Sequence, residues 1–196
     1  MKKIMFNDKY GLTKTVLENR KTQTRRICAF GSKTYEKAYR NLLSNYKDGA
    51  CFNNELLKCS LYKVGEEVAI AQSYFDCGYT VSARRLEIIP GHTAQFSDGS
   101  AGWNNKMFVR AVLMPRRIKI TNIRIEHLQD ISEDDCLKEG IGKRGDTLLE
   151  FFVYGEDDIL FDTPQRAFAS LIDKTCGKGT WQNNPWVFVY DFELIK

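Results

Sequence analysis

Seven consecutive residues carry the densest chemistry in the chain. Arg20-Lys21-Thr22-Gln23-Thr24-Arg25-Arg26 holds four cations and two hydroxyls. Guanidinium groups take phosphate or carboxylate bidentately and threonine hydroxyls add short donors, so Arg20, Thr22, Arg25 and Arg26 suit an anionic or polar ligand. The same composition fits a solvated cationic strand edge that resists edge-to-edge aggregation equally well. Lys21 and Thr24 permit a sharper reading: in a partly desolvated pocket, a lysine beside a threonine activates the hydroxyl or polarises a carbonyl, and a carboxylate completes the acid–base chemistry. Spacing does not select that carboxylate from the 25 acids. Met114-Pro115-Arg116-Arg117 extends the cationic character, with Arg116 as a further candidate contact. Trp103, in a Gly- and Asn-rich stretch, is the candidate exposed stacker for a base. The aromatics Trp186, Phe188, Tyr190 and Phe192 stand at period two around Val187 and Val189 and read as core.

The 196 residues carry a formal net charge of only +4, but its distribution is uneven. The first 26 residues carry six net positive charges, and residues 132–163 hold ten acids against three bases. A composition of 43% hydrophobic and 28% charged residues excludes disorder, collagen and a disulfide scaffold. Asn7, Asp8 and Lys9 arrive before any apolar signal-peptide core forms, and no apolar run approaches the ~20 residues of a membrane span. The six cysteines never fall at zinc-knuckle or redox-pair spacing, and His92 and His127 are the only imidazoles. The chain therefore reads as a reduced, cytoplasmic protein with no metal site and no cofactor.

Lys2–Phe6 reads as a first strand, Tyr10 to Asn19 as a helix capped by Asp8, and the cationic run as a turn entering a strand. Residues 30–60 are rich in Tyr, Asn, Lys and Ser, with helical spacing over Tyr35–Tyr46, and read as an insertion. A second insertion falls near 76–103, and residues 90–105 form a long loop. A turn at Tyr62–Glu67 leads into an apolar strand over Val68–Tyr74. In Arg117–Ile125 isoleucines alternate with Lys119, Asn122 and Arg124, with one slip at Thr121, which predicts a slightly bulged strand. Ser132 caps a short helix with Asp135 at the capping-box position, ending at Gly140. Thr163-Pro164 starts a longer helix that Gly177 stops, and Pro185–Ile195 is the last strand. This order predicts one α+β domain over 1–196, built on a small, mostly antiparallel β-barrel with flanking helices.

The run Asn19–Arg26 resembles the G-R-K-T-x-T-x-R signature of the ASCH-domain family, with Asn19 where that family usually has glycine. Tyr62-Lys63-Val64-Gly65-Glu66 is similar to the Y-x-V-G-D turn that follows it there. Met114-Pro115-Arg116, Leu128–Asp135 with Glu139-Gly140-Ile141, and Asn184–Phe192 resemble the longer phage and bacterial members. The resemblance implies a PUA-like β-barrel and two functions. One is binding of RNA or a nucleotide-like ligand in a cationic cleft. The alternative is an amidohydrolase that deacylates N4-acetylcytidine-like nucleosides, as some small bacterial members do. For that reaction the resemblance assigns Thr24 as nucleophile, Lys21 as base or oxyanion support, and Glu139 as proton donor. A ribonuclease is a third, weaker reading. The implied partner is RNA or a nucleoside-like small molecule, with no membrane.

Overall fold

The computed structural model describes residues 1–28, 57–82, 85–88, 102–145, 150–155 and 159–195. The helix expected over Tyr35–Tyr46 lies outside them, as do most of the 30–60 insertion and much of the 76–103 insertion. In chain order the elements are β1 (Lys3–Ile4), α1 (Leu12–Leu17), β2 (Gln23–Ile27), β3 (Glu67–Ile70), β4 (Tyr79–Ser82), β5 (Arg85–Ile88) and β6 (Arg117–His127). There follow α2 (Glu133–Lys138), β7 (Gly142–Lys143), β8 (Phe151–Phe152), β9 (Leu160–Phe161), α3 (Pro164–Cys176), α4 (Thr180–Asn183) and β10 (Trp186–Ile195). The fold is mixed α+β with mainly antiparallel strands. Among the described residues, no helix is long and apolar enough to cross a membrane.

The chain divides into two compact units. The first comprises Met1–Phe6, Glu67–Lys119 and Leu194–Lys196. Here β1 pairs in parallel with β3, and β3 pairs antiparallel with the start of β6, Val68 opposite Ile118. Val68, Ala69 and Ile70 are all fully buried, as expected of a continuous apolar strand covered on both faces. The strand stops at Ile70, shorter than the apolar run suggests, because Tyr74 and Phe75 instead donate backbone hydrogen bonds to the carbonyls of Gly102 and Trp103. That ladder draws Trp103 inward. The ring packs with Ala71, Tyr74, Cys77, Val109 and Met114, and the residue is only 5% exposed. The expectation of an exposed stacker is thereby corrected: Trp103 is core.

The second unit comprises Asn7–Glu66 and Ile120–Glu193. β10 pairs antiparallel with β2 from Val187 opposite Ile27 to Asp191 opposite Gln23, and β6 is its other neighbour. Val187, Phe188, Val189 and Tyr190 are all buried, so this strand too is covered on both faces. α3 buries Pro164, Ala167, Phe168, Leu171 and Ile172, the i, i+3, i+4 spacing of one helical stripe. Thr163 caps its N-terminus and Gly177, at φ 110°, ends it. α1 departs from expectation at its start. Gly11, at φ 60°, precedes the helix, and Asp8 accepts a hydrogen bond from the Thr13 hydroxyl instead of capping. β1 and β2 each have a single hydrogen-bonded neighbour, so the described strands do not close into a barrel.

Candidate functional site

Three local structures in the second unit carry the charged residues. The turn after α1 is the first. Arg20 and Lys21 both donate their backbone N–H to the Thr15 carbonyl, and Asn19 takes a left-handed φ of 57°. Glycine adopts that conformation freely and asparagine tolerates it better than most side chains, which accounts physically for Asn19 at this position. The second is the end of α2. Gly140, at φ 98°, donates to Leu137 and Ile141 donates to Cys136, a Schellman closure. It leaves Glu139 as the C-cap residue, with both its carbonyl and its carboxylate directed at Lys21. The third is the β2–β10–β6 ladder, in which β2 presents Gln23 and Arg25 on one face and Thr24 and Arg26 on the other.

Lys21 Nζ donates to the Glu139 carboxylate at 2.5 Å and to its backbone carbonyl at 2.6 Å. Both side chains are buried, at 2% and 5% exposure. Glu139 also holds Arg25, whose Nη1 lies 3.1 Å from its second oxygen. Arg25 is saturated. Its Nε and Nη2 reach Glu126 at 3.1 and 2.6 Å, Nη2 reaches Asp135 at 3.1 Å, and Nη1 reaches Gln23 at 2.5 Å. With the Glu139 contact, all five guanidinium N–H groups are committed. Arg25 therefore has every donor engaged within this network. Arg124 continues the network, bonding Glu126 at 3.0 Å, Asp191 at 3.0 Å and Asp135. Asp191 in turn accepts from Gln23 at 2.6 Å.

Burial pushes the Lys21 ammonium below its ordinary value; Glu139 opposes this, while Arg26 and Arg25 add to it. Burial alone would lower Arg25 as well, but Glu139, Glu126 and Asp135 override it and hold the guanidinium above its ordinary value. Burial works to raise Asp135, yet Lys138, Arg25 and Arg124 together hold its carboxyl below the usual carboxylate range. A pocket of about 400 Å3, lined by Thr22, Gln23, Arg124, Asp135, Lys138 and Asp191, opens on this network.

The other predicted residues lie as follows. Thr24 is 4% exposed and stands opposite Tyr190 on the ladder, and its hydroxyl has no hydrogen-bond partner among the described residues. Thr24 thus neighbours Lys21 in sequence without being hydrogen-bonded to it or to Glu139. Arg20 folds back on Glu18, at 2.9 Å through Nε, and lies over the Tyr154 ring. Thr22 joins the ladders through its backbone, donating to Lys138 and accepting from Phe192. Arg26 is half-buried and lies close enough to Tyr62 and Lys21 to act on both electrostatically. Arg116 is exposed and belongs to the first unit.

Sequence reasoning missed Gln23, Arg124, Glu126, Asp135 and Asp191 as members of the network. Asp135 lies at the capping-box position but does not complete a box. Ser132 accepts from its amide, while its carboxylate turns to Arg25, Arg124 and Lys138. A usable signal was present at Asp191, a lone acid inside the run Trp-Val-Phe-Val-Tyr-Asp-Phe. Comparison with protein families, curated proteins and solved structures finds no match.

Proposed function

We propose that this chain is an ASCH-type, PUA-like domain that binds a nucleobase-containing ligand, a nucleotide or a short stretch of RNA, beside β2. The observation that supports this best is the Thr24 hydroxyl, which has no hydrogen-bond partner among the described residues. It shares a strand face with Arg26 and a ladder rung with Tyr190. A hydrogen-bonding group, a cation and aromatic rings in one place are the elements that base recognition uses. The buried charges support a small ligand over a long polyanion, because Lys21 and Arg25 are already neutralised internally. The test is equilibrium binding of nucleosides, nucleotides and short single-stranded RNA at low and moderate salt. Binding should weaken in Thr24→Val and Arg26→Ala, and the salt slope should correspond to about one or two phosphates. Absence of binding at millimolar ligand and low salt sinks the reading.

An amidohydrolase is the second reading, favoured by the lowered pKa of Lys21 beside Thr24. In it, the Thr24 oxygen adds to the acyl carbon of an N4-acylated cytosine and passes its proton to neutral Lys21. The C–N bond then breaks as that proton passes from Lys21 through the Glu139 carboxylate to the departing amine, and water hydrolyses the acyl-threonine to the free acid and the Thr24 hydroxyl. Release of acetate from N4-acetylcytidine, lost in both Lys21→Ala and Thr24→Ala, is the expected result. Turnover that persists in either variant excludes this mechanism.

A further inference from the structure

In the first unit two consecutive 3-10 turns, Lys106–Phe108 and Ala111–Leu113, lie between Trp103 and β6. Val109 and Met114 anchor them, both buried in the core cluster around Trp103. The side chains between the anchors face outward. Met107, Phe108 and Val112 are 62%, 61% and 57% exposed. Apolar side chains scattered singly on a surface are ordinary, but three within six residues mark a contact surface. The backbone beneath them is tied down. The Lys3 ammonium donates to the carbonyls of Met107 at 2.6 Å, Val109 at 2.9 Å and Lys106 at 3.2 Å. Lys106 donates in return to the Phe6 carbonyl, and the Asn105 side chain accepts from the Met107 amide. A segment held in this way presents its apolar side chains in one arrangement, so little freedom is lost when a partner covers them.

The charge of this segment is one-sided. From residue 99 to residue 125 the sequence has no acid and six cations. Arg110 and Arg116 flank Val112 in sequence and are exposed, and neither guanidinium has an ion-pair or hydrogen-bond partner among the described residues. Glu67 sits on Arg117 at 3.4 Å, and Asp76 accepts from the Ser73 hydroxyl at 2.6 Å. An apolar patch alone suits another protein. Two uncommitted guanidinium groups select a polyanion instead, and the exposed phenyl ring selects one that offers flat apolar faces. Single-stranded RNA offers both, whereas a duplex keeps its base faces stacked inside.

We infer that this prong is a second contact surface, which makes a short single strand of RNA, not a free nucleotide, the partner of the protein. Phe108 stacks on a base, Met107 and Val112 shield the stack, and Arg110 and Arg116 hold phosphates. The inference rests on the nucleobase-ligand reading for the class of partner and adds a surface outside the Thr24 face of β2. It also gives Arg116, a candidate contact from the sequence, a ligand to contact.

The experiment compares hexaribonucleotides of adenine, cytosine and uracil, followed by fluorescence anisotropy, with the corresponding mononucleotides, followed by calorimetry. The proteins are the full chain, Phe108→Ala, Phe108→Leu and Arg110→Ala/Arg116→Ala, with melting temperatures to check folding. At least one hexamer should bind about tenfold or more tightly than its mononucleotide, and both Phe108 variants should weaken it by about tenfold, because leucine keeps the apolar bulk but has no ring to stack. The double arginine variant should lower the slope of log affinity against log salt by about 1.4, the value for two phosphates of a single strand. Mononucleotide binding should be unchanged in every variant. A hexamer that binds no better than its mononucleotide overturns the inference and leaves base recognition intact. A hexamer preference that survives in all variants also overturns it, as does equal weakening of hexamer and mononucleotide. Hexamer binding that depends on Phe108, with no mononucleotide binding at all, upholds the prong and removes the Thr24 reading. Co-sedimentation with phosphatidylcholine–phosphatidylglycerol vesicles, with no effect of Phe108 on the hexamer, assigns the prong to a lipid surface and overturns the inference.

Discussion

Glu139→Gln tests whether the Lys21–Glu139–Arg25 cluster is a buried charge network. Glutamine keeps the volume and one carbonyl oxygen but removes the charge between two cationic side chains exposed by only 2% and 1%. Arg25 retains Glu126 and Asp135, so the larger loss falls on Lys21, which retains the backbone carbonyl of residue 139. Removing one partner of a buried pair costs about 3–5 kcal/mol, against about 1 kcal/mol or less for an exposed pair. At roughly 2–4 °C per kcal/mol for a chain of this size, the melting temperature should fall by about 6–20 °C. A pH signature accompanies the loss. Burial already holds the Lys21 ammonium below its ordinary value, and the variant lacks the carboxylate that opposed this. Between the folded and unfolded pKa the unfolded chain then binds more protons than the folded one, so stability rises with pH across that window. The deficit of the variant should therefore narrow as pH rises from 7 toward 10. Urea unfolding followed by tryptophan fluorescence at pH 7 and 9.5 measures both effects. A deficit under about 1 kcal/mol at pH 7, or one unchanged at pH 9.5, refutes the assignment of a buried, compensated network. Lys21→Met/Glu139→Leu, which removes both charges, should be far less destabilised than Glu139→Gln.

Asp135→Asn should change the acid limb of stability. The Asp135 carboxyl is held below its ordinary value, so its contribution is present above the unfolded carboxylate pKa of ~3.9 and is lost as pH falls through the folded value. The gap in melting temperature between wild type and variant should be widest near pH 6 and shrink toward pH 2. Trp103→Ala should destabilise by about 3–5 kcal/mol in urea, as expected for a buried aromatic; a loss within the ±0.5 kcal/mol typical of surface sites would return Trp103 to the surface. Burial pushes the thiols of Cys28, Cys77 and Cys136 up to about 12, while Cys176 is exposed. Mass mapping after brief alkylation at pH 8 should find Cys176 labelled and those three labelled only on unfolding.

Elements set by local pattern were legible in the sequence. Thr163-Pro164 and Gly177 bracket α3 because capping and the loss of a proline N–H act within one turn. β6 follows from its period-two alternation and β10 from an apolar run of valines and aromatics. Long-range contacts decided the rest. Trp103 sits in a polar stretch, and only the backbone ladder from residues 74–75 to 102–103 makes it core. The β3 strand ends early for the same reason. At the site, the cationic run announced itself, but of its acidic partners only Glu139 was named, and that through the family resemblance. Glu126, Asp135, Glu139 and Asp191 come from three separate elements spread over 66 residues, and nothing local in their neighbourhoods marks them as partners of Arg25 and Arg124.

The placement of those acids changes what the cationic run means. Residues 1–26 and 132–163 carry opposite charge excesses, and the fold sets part of one against part of the other. Asp135 and Glu139 from the acidic stretch, with Glu126 beside them, neutralise Lys21 and Arg25. Arg20 is turned onto Glu18. The run is thus neither a solvated edge nor an open polyanion groove, because two of its four cations are buried and bonded and a third has a local acid. A long single strand needs many cations to displace its counterions, and counterion release is what drives that kind of binding. A compact ligand needs less. The proposed base recognition asks only for the Thr24 hydroxyl and the Arg26 guanidinium on one face of β2. The network on the Gln23–Arg25 face of the same strand has its charges satisfied internally, which holds β2 in place.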